Sequence, residues 1–345
     1  MIQRAIKMVV AGRHLDEEQA AAVMTEIMEG RASGSQIASL LTALHLKGET
    51  VDEITGFARV MRQMATPIRS SHPLLVDTCG TGGDGKGTFN ISTTAAIVLA
   101  AAGAKVAKHG NRSVSSRAGS ADVLEALKVN INITARQAER CLEEVGICFM
   151  FAPNLHGAMK HAAQTRKEIG IRTVFNILGP LTNPAKAQTQ VLGVYAADLV
   201  EKMAQALVRL GSTRAFVLHG AGGLDEISPV GLAHICEVRA GEVHRYTIDP
   251  AEYGFAPAKV EDLAGGDAEE NARITKEILA GATGPKRDAV VLNAALGLIC
   301  SGIVSNLKDG IAVAQRAIDS GAAIKKLEQL VKVTSTMGGK EVISF

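Results

Sequence analysis

The chain has no tryptophan, and its aromatic residues make up only 3%. A platform that stacks successive nucleic-acid bases has little to be built from. Charge of one sign is also missing: 37 Lys and Arg stand against 35 Asp and Glu, a net charge of +2. That balance disfavours a general nucleic-acid or membrane-surface binder. Cysteine is sparse. Cys79, Cys141, Cys148, Cys236 and Cys300 are scattered, with no metal-ligand spacing. An odd count in a long chain fits reduced thiols in a cytosol, not a disulfide framework. Cys79 reads as a small filler before a tight turn, not as a catalytic thiol. Long hydrophobic runs are absent too. The longest, Ala289 to Val304, contains Asn293 and Ser301. It falls short of the roughly 20 residues a membrane span needs, and reads as buried core. The start, MIQRAIKMVVAG, shows no signal-peptide pattern and continues into amphipathic helix.

What the chain does have is apolar residue, 47% of its 345 positions. A prior of roughly 150 residues per domain suggests two domains. Residues 1–70 read as a small helical domain. Capping-box spacing marks three helix starts: Asp16 with Gln19, Ser33 with Gln36, Thr50 with Glu53. Apolar residues recur at helical spacing, as at Ile37, Leu40, Leu41 and Leu44. His45 reads as a packed core histidine. No cluster of catalytic residue types appears here, so the domain serves packing, dimer contacts or a hinge.

From Leu74 the pattern alternates. Strands are expected at 74–77, 105–108, 147–151, 190–195 and 214–219, and helices from 91 and at 121–127, 135–145 and 199–210. This implies an α/β domain over 71–345, with a mostly parallel central sheet flanked by helices. Ligands then bind at the C-terminal strand ends. Residues 234–249 read as an antiparallel hairpin turning near Ala240-Gly241. Residues 172–187 break the alternation and are expected to cross back to the helical domain. The remainder, 268–280, the apolar stretch after 289 and 310–334, reads as helix. No internal repeat is visible.

The chemistry concentrates in DTCGTGGDGKGTFNIST, Asp77 to Thr93, and AKHGNRSVSSR, Ala107 to Arg117. The first is strand, glycine-rich loop, helix N-terminus. Gly80, Gly82, Gly83, Gly85 and Gly87 let the backbone turn tightly and aim N–H groups at one point. The helix starting near Ile91 adds its positive end. Such a loop suits an anion, above all phosphate. Two common motifs nearly fit. The spacing Gly80-x-Gly82-x-x-Gly85 matches the dinucleotide fingerprint, but the acid expected about 20 residues on is replaced by basic KVAKH. Gly80 to Lys86 matches a Walker A until its last position, where Gly87 replaces the hydroxyl residue. A second strand ending in Lys108-His109-Gly110-Asn111-Arg112 sets cations beside the amides. Asp225-Glu226, after Gly222-Gly223, suits Mg²⁺, a hard cation that takes oxygen ligands.

Together GTGGD, NIST and KHGNR resemble the anthranilate phosphoribosyltransferases of the tryptophan pathway. The resemblance continues through Ser120-Ala-Asp122, Pro153-Asn-Leu-His156, Arg166, Asn176 to Asn183 (NILGPLTN) and Asp225-Glu226, nearly the whole chain. It implies a cytoplasmic enzyme, a homodimer through the helical domain, that moves the phosphoribosyl group of phosphoribosyl pyrophosphate (PRPP) onto the amine of anthranilate. Two functions rival it on the same architecture. A pyrimidine nucleoside phosphorylase uses inorganic phosphate without Mg²⁺, and a non-catalytic nucleic-acid-binding relative is expected to lose the carboxylate pair.

The resemblance also implies site residues. Amides of Gly80, Gly82 and Gly83 face the pyrophosphate; Asp84 either bonds the loop backbone or sits near metal. Thr88, Asn90, Ile91, Ser92 and Thr93 line the helix start, where one of the polar ones also serves as N-cap. Lys108 is a cation suited to phosphate. Ser113, Val114, Ser115, Ser116 and Ser120 offer amides and hydroxyls to a phosphate, with Asn111 beside them; Arg112 and Arg117 either assist or are surface charge. Ser92, Asp225 and Glu226 hold metal, two Mg²⁺ suiting a pyrophosphate leaving group. Anthranilate lies among Gly80, His109, Asn111, Pro153, His156, Arg166 and Gly179. Arg166 forks onto its carboxylate, and His109 or His156 is the candidate general base.

Overall fold

The computed structural model describes residues 1–113 and 117–337. Its first helices start where the caps predict. Asp16 Oδ1 accepts from Gln19 N at 2.8 Å while the Gln19 side chain accepts from Asp16 N. Ser33 with Gln36 and Thr50 with Glu53 form the same reciprocal pair. After α1 (Ile2–Val10), these boxes open α2 (Glu17–Met28), α3 (Gly34–Lys47) and α4 (Val51–Met64). The predicted stripe of α3 is buried, but His45 is exposed. It follows Leu44 by one residue, about 100° of helical rotation, which carries it off the buried face.

Seven strands form one sheet: β1 (Val76–Gly80), β2 (Val106–Gly110), β3 (Ile147–Phe151), β4 (Thr189–Gly193), β5 (Arg214–His219), β6 (Ala233–Arg239) and β7 (Glu242–Ile248). Their order is β3-β2-β1-β4-β5-β6-β7. The first five run parallel, and the β6–β7 hairpin closes one edge antiparallel. Its turn is Ala240-Gly241, both at positive φ, as a tight hairpin turn demands. β3 and β4 are buried along their whole length, as strands covered on both faces must be.

Two apolar cores flank this sheet. One joins Val76, Val106, Phe216 and Leu218 to α5 (Ile91–Ala101) and the helix Pro285–Cys300. The other joins the helical bundle to Leu192, Val194 and Val217, and to Leu199, Met203 and Leu207 of the helix Asp198–Arg209. Residues 172–187 do return to the bundle: Val174, Phe175, Ile177, Leu178 and Leu181 bury themselves in that second core. The chain fills the sheet from β1 outward to β3, then resumes at β4 on the other side of β1. The strand order therefore reverses between β1 and β4, and the crevice beyond their C-terminal ends is where an open α/β sheet binds ligands.

Candidate active site

Two glycines open that crevice. A Cβ on Gly193, the last residue of β4, would lie 1.4 Å from the Asp225 carbonyl oxygen. One on Gly80, the last of β1, would lie 2.3 Å from Asp225 Oδ2. Only glycine lets the Asp225-Glu226 segment lie across both strand ends. Gly82 N then donates to Asp225 Oδ2 at 2.9 Å. Oxygens of Asp84, Asp225 and Glu226 come within 4.8 Å of one another. Asp84 Oδ2 and Glu226 Oε2 are buried with no hydrogen-bond partner among the described residues.

Burial, then the charge of Asp84, raises the Asp225 carboxyl above its ordinary range, against the pull of the Gly82 amide. Glu226 is pushed well above its range by burial and by Asp225, which Lys108 offsets only in part. Three carboxyl groups gathered in one crevice, two of them with an orphaned oxygen, fit a hard divalent cation. Ser92 stands outside this trio, half-buried on the first turn of α5, where its carbonyl accepts from Thr78 Oγ1 at 3.1 Å.

Lys108 is not an open strand-end cation. β2 runs two residues past it, to Gly110, and the alternation of the strand turns Lys108 inward. Its ammonium donates to the Thr78 carbonyl, and burial lowers its pKa against the charges of Asp77 and Glu226. It answers the carboxylates from below. Cys79 accepts from Gln190 Nε2 at 3.0 Å, and burial raises its thiol well above the ordinary value. A thiol held protonated in this way fits the filler role.

On the helix side, Asn90 starts α5 without a side-chain cap bond. Its Oδ1 accepts from Asn271 Nδ2 at 2.9 Å and its Nδ2 donates to the Ala118 carbonyl at 3.2 Å. Thr88 bridges to Ala264, beside the Gly265 N bond to the Gly87 carbonyl. Ile91 is buried in the core, so only its backbone reaches the crevice, while Thr93 Oγ1 is buried without a partner among the described residues. Past β2, Asp122 ties the loop: it accepts from Ser113 N and Gly119 N at 3.1 and 2.8 Å. Arg112 is held by Asp122 and Glu125 at 2.8 and 2.6 Å, over the Phe151 ring, so its charge is already answered. Ser120 Oγ donates to the Asn111 carbonyl at 3.2 Å. Val114, Ser115 and Ser116 lie outside the described residues.

The acceptor side gathers around two histidines. The helix that carries Arg166 is broken at its start: a short turn Ala152–Leu155, a 3-10 turn Gly157–Met159, then Lys160–Ile169. The break leaves His156 facing His109, Nε2 to Nε2 at 3.2 Å. Burial lowers His109 to about 3, helped by His156 and opposed by the Gly179 backbone. Burial lowers His156 to about 4, against a bond to the Thr182 backbone. The pair is neutral at pH 7, one Nε2 donating and the other accepting. Arg166 is half-buried over the Phe175 ring at 5.0 Å, and no carboxylate answers it among the described residues. Desolvation lowers its pKa. Pro153 and Asn111 are exposed, and a Cβ on Gly179 would meet nothing within 4 Å.

Sequence reasoning missed the residues that brace this site. Asp77, fully buried, accepts from His109 N at 3.1 Å and from Asn183 Nδ2 at 2.8 Å, and burial pushes it up to about 6. Asn183 also donates to the Ala107 carbonyl, so it fixes the 172–187 segment against β1 and β2. Both stand in the quoted motifs, and their type carried no sign of a bracing role. Asn271 and Arg172 lie outside them, with no local signal.

Two family models meet on this chain. The helical bundle domain of a glycosyl transferase family matches residues 3–65, and the a/b domain of such a family matches residues 72–324. That defines a glycosyl transferase of bundle-plus-sheet architecture. Full-length similarity narrows it. An anthranilate phosphoribosyltransferase of Pelotomaculum thermopropionicum is 62% identical, over 98% of each chain. The crystal structure of the Thermus thermophilus anthranilate phosphoribosyltransferase superposes with TM-score 0.91 at 46% identity, covering 96% of this chain and 99% of that one. The Saccharomyces cerevisiae enzyme in complex with PRPP and Mg gives TM-score 0.89 at 28% identity, covering 97% and 98%. The chain belongs to the anthranilate phosphoribosyltransferase family. These relatives support neither rival function.

Proposed function

We infer that this protein transfers the phosphoribosyl group of PRPP to the amine of anthranilate, releasing pyrophosphate and N-(5-phosphoribosyl)anthranilate. The observation that carries the reading is the carboxyl trio of Asp84, Asp225 and Glu226, with orphaned oxygens beside glycine-loop amides at the sheet's switch point. Bound Mg²⁺ would be held by these carboxylates, with Ser92 as the candidate for a second ion, and would neutralise charge on the leaving pyrophosphate.

The chain's own groups do the rest. Amides of Gly80 and Gly83 and the start of α5 hold the pyrophosphate, while the Gly82 amide holds Asp225. Asn90, Thr88, Thr93, Asn111, Ser113 and Ser120 position the phosphoribosyl moiety. Lys108, a buried cation, offsets part of the repulsion at Glu226. Arg166 receives the anthranilate carboxylate. Gly179, Pro153 and the His109–His156 pair shape the pocket. A neutral imidazole there accepts a proton from the amine as the new C–N bond forms; the aromatic amine itself is already an uncharged nucleophile. Holding amine and C1 in line supplies most of the acceleration.

The division at residue 70 into bundle and catalytic domain, a homodimer through the bundle and a cytoplasmic setting complete the proposal by family resemblance. The test is fluorimetric. Anthranilate emission should fall when PRPP and Mg²⁺ are both added, and not when either is withheld. Steady emission with PRPP still binding would overturn the acceptor.

A further inference from the structure

One cation near the crevice has no part in the assignment above. Arg172 stands at the start of the 172–187 segment, on the helical-bundle side, and reaches the donor loop. Its Nη2 donates to the Gly83 carbonyl, and its guanidinium carbon lies 4.6 Å over the Tyr195 ring. Tyr195 is itself tied to the loop, since its backbone N donates to Thr81 Oγ1 at 3.1 Å. Thr81 N in turn donates to the Gly193 carbonyl at 2.9 Å. Arg172, Gly83, Thr81 and Tyr195 thus close a ring of contacts around the base of the glycine loop.

The consequence falls on Asp84. A trans peptide is planar, so a Gly83 carbonyl turned toward Arg172 turns the Asp84 N–H the opposite way. The next residue's direction is then set, in a loop whose glycines otherwise leave it free. Asp84 is the one member of the carboxyl trio that the glycine loop supplies. The segment that begins with Arg172 also carries Phe175, under Arg166, and Gly179, whose backbone meets His109.

We propose that Arg172 is a positioning residue that fixes the donor loop, and with it Asp84, to the segment that shapes the acceptor pocket. A guanidinium suits the task because one planar group donates to the carbonyl while stacking on the ring. This rests on the donor reading of the crevice. It places Arg172 on the donor side of the reaction, without contact to anthranilate.

The test is calorimetric binding of PRPP at saturating Mg²⁺ to the whole protein, with steady-state kinetics beside it. Arg172→Ala should bind PRPP about tenfold more weakly, the loss of one charge-assisted hydrogen bond. It should need more Mg²⁺ for half-maximal rate, with KM for anthranilate at saturating PRPP unchanged within about twofold. Tyr195→Phe keeps the ring face and should match wild type, while Tyr195→Ala should weaken PRPP in the same direction as Arg172→Ala. Unchanged PRPP affinity in Arg172→Ala would overturn the proposal. So would an equal loss for both substrates with a lowered thermal midpoint, which marks a merely structural residue. Wild-type protein that binds PRPP but leaves anthranilate untouched would sink the acceptor reading and leave this comparison standing.

Discussion

Two buried glutamates, one in each half of the molecule, stand in opposite circumstances. Glu53 in α4 is wholly enclosed, and every oxygen is answered. Leu15 N donates to one at 3.0 Å, and Thr50 N and Lys47 Nζ to the other, both at 2.9 Å. Glu226 is 9% exposed, yet its Oε2 has no partner among the described residues, and two further carboxyl groups crowd it. A chain that can satisfy a buried carboxylate so fully in its bundle has not failed by oversight in its crevice. Leaving such a group unpaired is costly. On the proposed function, a bound cation removes that cost. The bundle spends its polar groups on staying folded; on the same proposal the strand ends reserve theirs for a ligand.

This contrast can be broken at either glutamate. The largest expected effect is on stability, in the bundle. Glu53→Ala strands the Lys47 ammonium and two backbone amides, and should cost about 3–5 kcal/mol in urea unfolding. A cost under about 1 kcal/mol would show the hub to be ornamental. Next come losses of rate in the crevice. Glu226→Ala and Lys108→Ala should each lower turnover at least about tenfold while both fold. Wild-type kinetics in both would remove the assignment.

The pH response sharpens the contrast further. His109 and His156 lie below the ordinary histidine value, near 3 and 4. Their contribution to stability is therefore complete above about 6.5 and is lost as pH falls toward those values. Asp77 runs the other way: raised to about 6, it favours the folded state most at low pH and loses that contribution as pH rises through 6. The imidazole signals of the pair in NMR should show no titration between pH 5 and 8. A midpoint near 6.5 for either would mean that the pair is open to water.

The smallest effect separates two helix starts. Ser33→Ala removes a formed capping box and should cost about 1 kcal/mol with no change in kinetics. Asn90→Ala removes no cap bond and should raise KM for PRPP instead. A stability loss without a kinetic one at Asn90 would reduce its role to the bonds with Asn271 and Ala118.

The same division governs how far the sequence could be read. The bundle was legible because its polar groups act locally: each capping box lies within four residues, and each apolar stripe within one helix. The strand-helix alternation and the hairpin turn at Ala240-Gly241 are local as well. Position along a strand was harder. The reading ended β1 at Asp77, whereas the strand continues to Gly80, so Asp77 lies inside the sheet and braces His109. The inward turn of Lys108 and the helix break before His156 arise from packing between segments far apart in sequence. Asp84 meets Asp225 across the sheet's switch point, and Arg172 meets Gly83 from 89 residues along the chain. Neither pairing leaves a spacing in the chain.

The measurement that bears most directly on this account is the thermal midpoint of wild type and Glu226→Gln, each with and without Mg²⁺ and pyrophosphate. The substitution keeps the shape of Glu226 and removes its charge. If the trio is held apart from its cation at a cost, Glu226→Gln should melt higher than wild type alone, and Mg²⁺ with pyrophosphate should raise wild type well above the variant's own gain. Equal shifts in the two proteins, with the variant no more stable by itself, would contradict it.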